Sequence, residues 1–279
     1  MTIASAFLAV TLAAATLVDV AVHRVNDRRT AGHFAQLDIV LELPKIKASD
    51  VAASRVIIAS ATDETGRDLV DRERATYLDP NQRPGADPST PATVSLTLKN
   101  PARTATKVDE VRGEIELYMP SKDPNSVAEI PKFLSFSGKP IAHKALEANG
   151  VEIALISPEQ LEAEKKRLGD AKRKEYADDG YEGETLDSVV SYYVDSLLTV
   201  EPSDVVVRIE DPKERIQEIV YVDSAGETRR ASKREEEEGF TILSTWGEAP
   251  QPDWKIRVSM RTDKNLVRHQ FVLKDVALP

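Results

Sequence analysis

The chain has 279 residues, a formal net charge of −10, 30% charged and 41% hydrophobic residues, and no cysteine. This length is sufficient for two domains of ordinary size, each with its own core. The acidic balance argues against a nucleic-acid partner, because phosphate binding needs a basic surface. The lack of cysteine excludes disulfides, thiolate catalysis and cysteine-bound zinc.

Residues 1–30 combine an apolar segment, residues 2–18, with a polar segment at residues 26–29. One interpretation is an export signal or membrane anchor, for which the alanines at 13–15 offer a cleavage site. The other is the first strand or helix of the folded domain, which the alternation of Val18, Val20 and Val22 supports. We expect export to the periplasm, the cell surface or the exterior, with residues 26–29 as a linker. Contact with a membrane would come only through this segment, if it is retained.

Residues 31–157 are predicted to form a first β-sandwich domain. Alternating apolar residues predict strands at 37–43, 55–61, 94–98 and 111–119, with shorter strands at 133–137 and 151–156. Asp63 to Gly66 supply turn residues after the second strand, and Gly113 indicates a bulge. Many short strands separated by proline and glycine favour two antiparallel sheets packed as an immunoglobulin-like sandwich.

Residues 158–184 are predicted to form a short helix and an acidic connector between two domains. Ser157 is the expected N-cap, Pro158 fits the first helical position, and Gln160 completes a capping box. The helix is expected to end near Tyr176. The acidic residues at 178–184 are then expected to form a flexible connector.

Residues 185–279 are predicted to form a second β-sandwich domain. Strand patterns lie at 205–209, 216–222, 240–245, 256–260 and 267–278. Helix and strand both fit the apolar and aromatic run at 189–200, and we favour a strand for its Val/Tyr part. Asp223 to Gly226 form a turn of the same composition as Asp63 to Gly66.

The same order of strands recurs in the two predicted domains. The runs at 37–43, 55–61, 94–98 and 111–119 correspond to those at 205–209, 216–222, 256–260 and 267–278. Proline follows the first run of each set, and the Asp-x-x-Gly turn follows the second. We interpret this as a tandem repeat of one β domain.

Four residues are candidates for a binding site. Trp246 and Trp254 flank one loop and, if exposed, could stack on a sugar or peptide; the alternative is that both rings pack in the core. Asp63 and Asp223 occupy matching turns, where their side chains can accept local N–H bonds. Calcium ligation is the alternative role for these two carboxylates, and no other cofactor is expected.

The chain carries none of the common catalytic motifs. No two of its four histidines have the spacing of a helical metal pair, and it has no G-x-S-x-G, Walker or G-x-G-x-x-G sequence. A pair of carboxylates for hydrolysis could lie among the 47 acidic residues, but no pattern selects a pair.

Three short motifs are similar to those of uncharacterised exported bacterial proteins with tandem immunoglobulin-like β-sandwich domains. They are Leu41-Glu42-Leu43-Pro44, the segment from Asp63 to Leu69, and Asn100-Pro101-Ala102-Arg103. The resemblance implies a two-domain β architecture. It implies no catalytic residue and no ligand.

From these observations we expect a non-enzymatic binding or structural protein of the cell envelope or exterior, with a protein or glycan as ligand. A carbohydrate-binding module that uses Trp246 and Trp254 is one alternative. A hydrolase with a carboxylate site in a cleft between the domains is the other.

Overall fold

A computed structural model of the chain describes residues 16–29, 35–74, 78–80, 89–196, 199–235, 239–245 and 248–279. Strands make up 44% and helices 22% of the chain, in four sheets that are almost entirely antiparallel. The prediction of a mainly β protein is therefore confirmed.

The strands of the described residues have these bounds in chain order: β1 (Thr16–Leu17), β2 (Ala21–Arg28), β3 (Gln36–Lys47), β4 (Ala53–Asp63), β5 (Asp79–Pro80), β6 (Pro91–Leu98), β7 (Lys107–Tyr118), β8 (Val127–Pro131), β9 (Glu152–Leu155), β10 (Val205–Glu210), β11 (Ile216–Val222), β12 (Thr228–Arg230), β13 (Ser232–Glu235), β14 (Phe240–Ser244), β15 (Lys255–Met260) and β16 (Leu266–Ala277). The α-helices are α1 (Lys144–Asn149), α2 (Pro158–Asp178) and α3 (Gly183–Ser196), and short 3-10 helices lie at Ala48–Asp50, Pro120–Lys122 and Phe133–Phe136.

The chain forms two compact units. Unit 1 contains residues 1–122 and 263–279, and unit 2 contains residues 123–262. These bounds differ from the predicted domains at 31–157 and 185–279. The physical reason is strand pairing, because β16 at the end of the chain pairs with β7 along its length, from Leu266↔Tyr118 to Ala277↔Lys107.

Unit 1 contains two sheets, with the strand orders β2-β3-β6 and β1-β16-β7-β4-β5. Alternate residues of β3, β6, β7 and β16 are buried in one apolar cluster, as expected of a β-sandwich. Because β1 and β2 extend over residues 16–28, the predicted linker at 26–29 lies largely in a strand, where Asn26 pairs with Asp38.

A bulge lies opposite Gly113 of β7, where the sequence indicated one. The pairing of β4 with β7 shifts between Ile58 and Ser60, opposite Gly113 and Arg112. A β-carbon at residue 113 would meet the carbonyl oxygen of Ile57 and would lie 2.9 Å from Phe271 Cε1. Glycine is therefore required here by the close approach of β4 and of the Phe271 ring.

Unit 2 contains the sheets β13-β14-β10-β9 and β12-β11-β15-β8. The core between them includes Val205 and Val207 of β10, whereas Val206 points to the opposite face and packs with Leu161 of α2. Strand β10 is thus buried on both faces, which explains its unbroken run of valines.

The helical part of unit 2 confirms one prediction and corrects another. Ser157 and Gln160 form the expected capping box at the start of α2. Residues 183–196 form helix α3, so the strand favoured for the Val/Tyr part of 189–200 is wrong, and the helical alternative is the correct one there. Val190 is buried, and Val194 lies so close to α2 that a β-carbon on Gly169 would be 2.8 Å from it. This i, i+4 spacing is helical although the composition is typical of strands.

One further expectation is corrected inside unit 2. Residues 133–136 form a 3-10 helix rather than a strand, and Phe133 is buried in the core. Residues 178–184 join α2 to α3, and the ion pair between Arg173 and Asp187 (2.7 Å) links the two helices. Because β9 before the helices pairs with β10 after them, the helices are an insertion within unit 2.

Candidate functional site

A cleft in unit 2 brings together two of the predicted site residues, Asp223 and Trp254. It has a volume of about 420 Å³. We call it the Trp254 cleft, and its lining residues are Asp223, Ser224, Ala225, Arg229, Glu248, Gln251, Pro252, Asp253 and Trp254. The turn between β11 and β12 supplies one wall and the loop before β15 supplies the other.

Asp223 is held by the backbone of its own turn. Its Oδ1 accepts hydrogen bonds from the N–H groups of Ala225 (3.0 Å) and Glu227 (2.8 Å), and its Oδ2 accepts one from Arg229 Nε (3.1 Å). Partial burial alone would raise the pKa of Asp223, but these donors and the Arg229 charge outweigh it and lower the pKa. The carboxylate is therefore ionised and fixed in position at neutral pH.

Trp254 forms part of the core beneath the cleft. Its ring is 4% exposed and lies 6.3 Å from the ring of Tyr221, which in turn lies 5.4 Å from that of Phe133. Burial, together with the negative charge of Asp204, raises the pKa of the Tyr221 hydroxyl. Trp254 thus packs in the core, which was the alternative to an exposed ring that stacks on a ligand. Trp246 lies outside the described residues.

Asp63 occupies the corresponding turn of unit 1. Its Oδ1 accepts from Thr65 Oγ1 (2.6 Å), Thr65 N–H (2.9 Å) and Arg67 N–H (3.0 Å). Its Oδ2 accepts from the N–H of Ala102 (2.8 Å), which lies in a different loop. Burial alone would raise the pKa of Asp63, but these donors outweigh it and lower the pKa to about 2.

The two turns have the same backbone geometry. In each, the aspartate N–H donates to the carbonyl four residues later, at 3.2 Å for Asp63 and 3.0 Å for Asp223. The glycines have positive φ angles of 83° at Gly66 and 86° at Gly226. This conformation requires glycine at the fourth position, so the matching Asp-x-x-Gly sequences do mark equivalent turns.

The carboxylate contacts bear on the calcium alternative for Asp63 and Asp223. The two residues lie in different units, and their oxygens already accept hydrogen bonds from N–H or O–H groups. The described residues contain no group of three or more metal-binding side chains. Both aspartates therefore act as turn-stabilising residues in this structure.

Sequence reasoning missed most of the polar lining of the Trp254 cleft. Arg229, Glu248, Gln251 and Asp253 were not selected as candidates. The one signal available was position, since Arg229 follows the Asp223 turn and the others lie between the two tryptophans. Their convergence depends on the antiparallel pairing of β11 with β15, which joins Val222 to Lys255.

Comparisons with models of known families, with curated proteins and with solved structures give no match. Within the described residues, no helix combines the length and the apolar character needed to span a membrane.

Proposed function

We propose that this protein is a non-enzymatic binding protein of the cell envelope or exterior, built from two immunoglobulin-like sandwiches. Strand order supports this architecture. In that fold, strands A, B, E and D form one sheet and G, F and C form the other. In unit 1, β2, β3 and β6 fit A, B and E, and β16, β7 and β4 fit G, F and C.

Unit 2 fits the same scheme. Its sheet β9-β10-β14-β13 fits A, B, E and D, and its sheet β8-β15-β11-β12 fits G, F and C with one added strand. The equivalent Asp-x-x-Gly turns then follow strand C in both units, which supports a duplication. The location outside the cytoplasm is proposed on the apolar character of residues 2–18.

The last strands of the two proposed sandwiches are exchanged. Strand β8 follows β7 along the chain but pairs with β15 of unit 2, and β16 follows β15 but pairs with β7 of unit 1. Unit 1 therefore obtains its G strand, β16, from the segment that follows β15 of unit 2. Unit 2 obtains its G strand, β8, from the segment that follows β7 of unit 1. This exchange supports the proposal that the two units derive from one ancestral domain.

The electrostatics favour binding over hydrolysis. A glycosidase or carboxylate-dependent hydrolase needs a carboxyl group whose pKa is raised, so that it remains protonated as a general acid. Among the described residues, each carboxyl group with a shifted pKa has it lowered. Asp223 in the Trp254 cleft is one of them.

The chemistry of the Trp254 cleft fits a glycan. The carboxylates of Asp223, Glu248 and Asp253 are acceptors, whereas Arg229 and the Gln251 amide supply donors. Sugar hydroxyl groups both donate and accept, so they can pair with such a mixed lining. Pro252 provides the apolar surface that the C–H groups of a sugar ring need.

A glycan array probed with the full chain tests this proposal. Glycan binding should fall at least about tenfold in the double variant Glu248→Ala, Gln251→Ala, because each side chain supplies about 1 kcal/mol of hydrogen bonding. The matched control is Glu152→Gln on the exposed side of β9, which should bind as the wild type does. Mass spectrometry of the recovered glycan should show an unchanged chain.

Two results would contradict the proposal. The first is the absence of binding, or binding that the cleft variant leaves unchanged. The second is a shortened glycan after incubation, which would identify the protein as a hydrolase.

A further inference from the structure

A second cavity lies at one end of unit 1 and is unrelated to the Trp254 cleft. Its volume is about 510 Å³, within the range of about 300–1,000 Å³ that small-molecule sites occupy. We call it the His269 pocket, and its lining residues are Val18, Asp19, Lys45, Ile46, Asp50, Met119, Ser121, Lys122, Val267 and His269.

The inner wall of the His269 pocket is apolar. Met119 belongs to the buried core of unit 1, and Val18, Ile46 and Val267 are partly buried against that core. These side chains lie where the core of unit 1 opens to solvent, so their apolar surface is only partly covered. A ligand with a compact apolar body would remove this surface from water, at about 25 cal/mol per Å².

His269 is a polar side chain that lines the pocket. It shares the inward face of β16 with Val267 and Phe271, since alternate residues of a strand point the same way. Its Nδ1 atom is buried and has no hydrogen-bond partner among the described residues. A buried nitrogen without a partner is unfavourable, and a hydrogen bond from a ligand would remove that cost.

The charges around the pocket cancel. Lys45 and Asp19 form an ion pair of 2.5 Å, and the pair lowers the pKa of Asp19 through the hydrogen bond and charge of Lys45. Lys122 and Asp50 are both exposed and contribute one charge of each sign. A charged ligand therefore gains no net attraction, and its charged group would have to be desolvated.

We propose that the His269 pocket binds a small uncharged apolar molecule that carries one hydroxyl group. A hydroxyl can both donate and accept, so it pairs with the imidazole nitrogen in either neutral tautomer. Nδ1 is buried, so its contact with a ligand requires the imidazole ring to turn about its Cβ–Cγ bond. The apolar body contacts Val18, Ile46, Met119 and Val267.

Titration of the full chain with cyclohexanol, cyclohexanecarboxylate and cyclohexylamine, followed by NMR, tests this inference. Cyclohexanol should shift the Met119 methyl and the His269 ring nitrogen signals and should bind about fivefold more tightly than either charged probe. The methyl group of Met260 is an internal control, because it is buried in the core of unit 2 and should not shift.

A matched pair of variants tests the role of the imidazole. His269→Phe keeps an aromatic ring but removes both nitrogens, and it should weaken cyclohexanol binding about fivefold. His23→Phe, at an exposed position of β2, should leave binding unchanged. The inference is overturned if a charged probe binds as tightly as cyclohexanol, if no probe shifts Met119, or if His269→Phe binds cyclohexanol as the wild type does.

Discussion

At the scale of single residues, Asp63 and Asp223 perform the same task in different surroundings. Asp63 is 2% exposed and accepts four hydrogen bonds, one of them from Ala102 in another loop. Asp223 accepts its bonds only from its own hairpin, from Ala225, Glu227 and Arg229. The buried aspartate therefore also ties two loops of unit 1 together.

We expect Asp63→Asn to reduce the free energy of unfolding of unit 1 by about 2 kcal/mol, because an amide replaces a buried acceptor of four bonds. Asp223→Asn is the matched control in an equivalent but more exposed turn, and its effect should be smaller. Urea unfolding followed by circular dichroism measures both. Equal losses would show that the contact with Ala102 contributes nothing.

The contribution of Asp63 should depend on pH. Its pKa is about 2 in the folded chain, against an ordinary value of 3.8. A carboxyl group with a lowered pKa stabilises the fold above its unfolded pKa, and this stabilisation, about 2 kcal/mol, is lost as the pH falls through the folded pKa. The difference in unfolding free energy between wild type and Asp63→Asn should therefore shrink between about pH 5 and pH 2. A constant difference over this range would contradict the assignment.

Glu116 forms a buried ion pair network across three strands of unit 1. It is 1% exposed; Oε2 accepts from Arg55 Nε (2.7 Å) on β4, and Oε1 accepts from Arg268 Nε (2.8 Å) on β16. The network thus connects the last strand of the chain to strands near its start. Glu114, two residues earlier on β7, is partly exposed, and its Oε1 lies 3.7 Å from Arg268 Nε.

We expect Glu116→Gln to lower the free energy of unfolding by about 2 kcal/mol, because two arginines lose a shared buried carboxylate. Glu114→Gln is the control on the same strand and should change stability by less than about 0.5 kcal/mol. Urea unfolding by circular dichroism distinguishes them. The network would be of no consequence for stability if the two variants unfolded at the same urea concentration.

At the scale of elements, the sequence predicts local structure correctly where a single motif determines that structure. The capping residues Ser157 and Gln160 fix the start of α2, and the Asp-x-x-Gly sequences fix two hairpin turns. Helix α3 was misassigned because Val and Tyr favour strands by composition. In the structure Val194 of α3 packs closely against Gly169 of α2, a contact that the sequence alone does not reveal.

The candidate sites could be predicted only in part for the same reason. Asp223 and Trp254 were selected by turn chemistry and residue type, and they do line one cleft. Arg229 lies on the same hairpin as Asp223, whereas the His269 pocket depends on strands that are distant in sequence. His269 lines its pocket with Val18 and Met119, residues brought together by the pairing of β16 with both β1 and β7.

At the scale of the whole molecule, the proposed repeat has a register that differs from the one favoured by the sequence pattern. The first two matched runs, at 37–43 and 55–61, correspond to β10 and β11 under the proposed scheme. The matched runs at 94–98 and 256–260 do not correspond, because β14 rather than β15 fits the position of β6. The exchange of β8 and β16 cannot be predicted from the local sequence, because each strand has the same alternating pattern in either sheet.

The pairing of β16 with β7 predicts that unit 1 requires the end of the chain. A variant that stops at Thr262 lacks Phe271, Leu273 and Val276, which are buried in the core of unit 1. Loss of three such side chains removes roughly 5–9 kcal/mol of burial energy, comparable with the whole stability of a small domain. We expect unit 1 of this variant to be unfolded by circular dichroism.

Unit 2 provides the control within the same molecule. Both tryptophans, at 246 and 254, belong to unit 2, which retains all of its strands in the truncated chain. Tryptophan fluorescence should therefore report a cooperative unfolding transition like that of the full chain. A synthetic peptide of residues 263–279 should restore the β signal when it is added in excess, because it can pair with the open edge of β7. Loss of both units together would show instead that unit 2 cannot fold without unit 1, and that the exchange of strands couples the folding of the two.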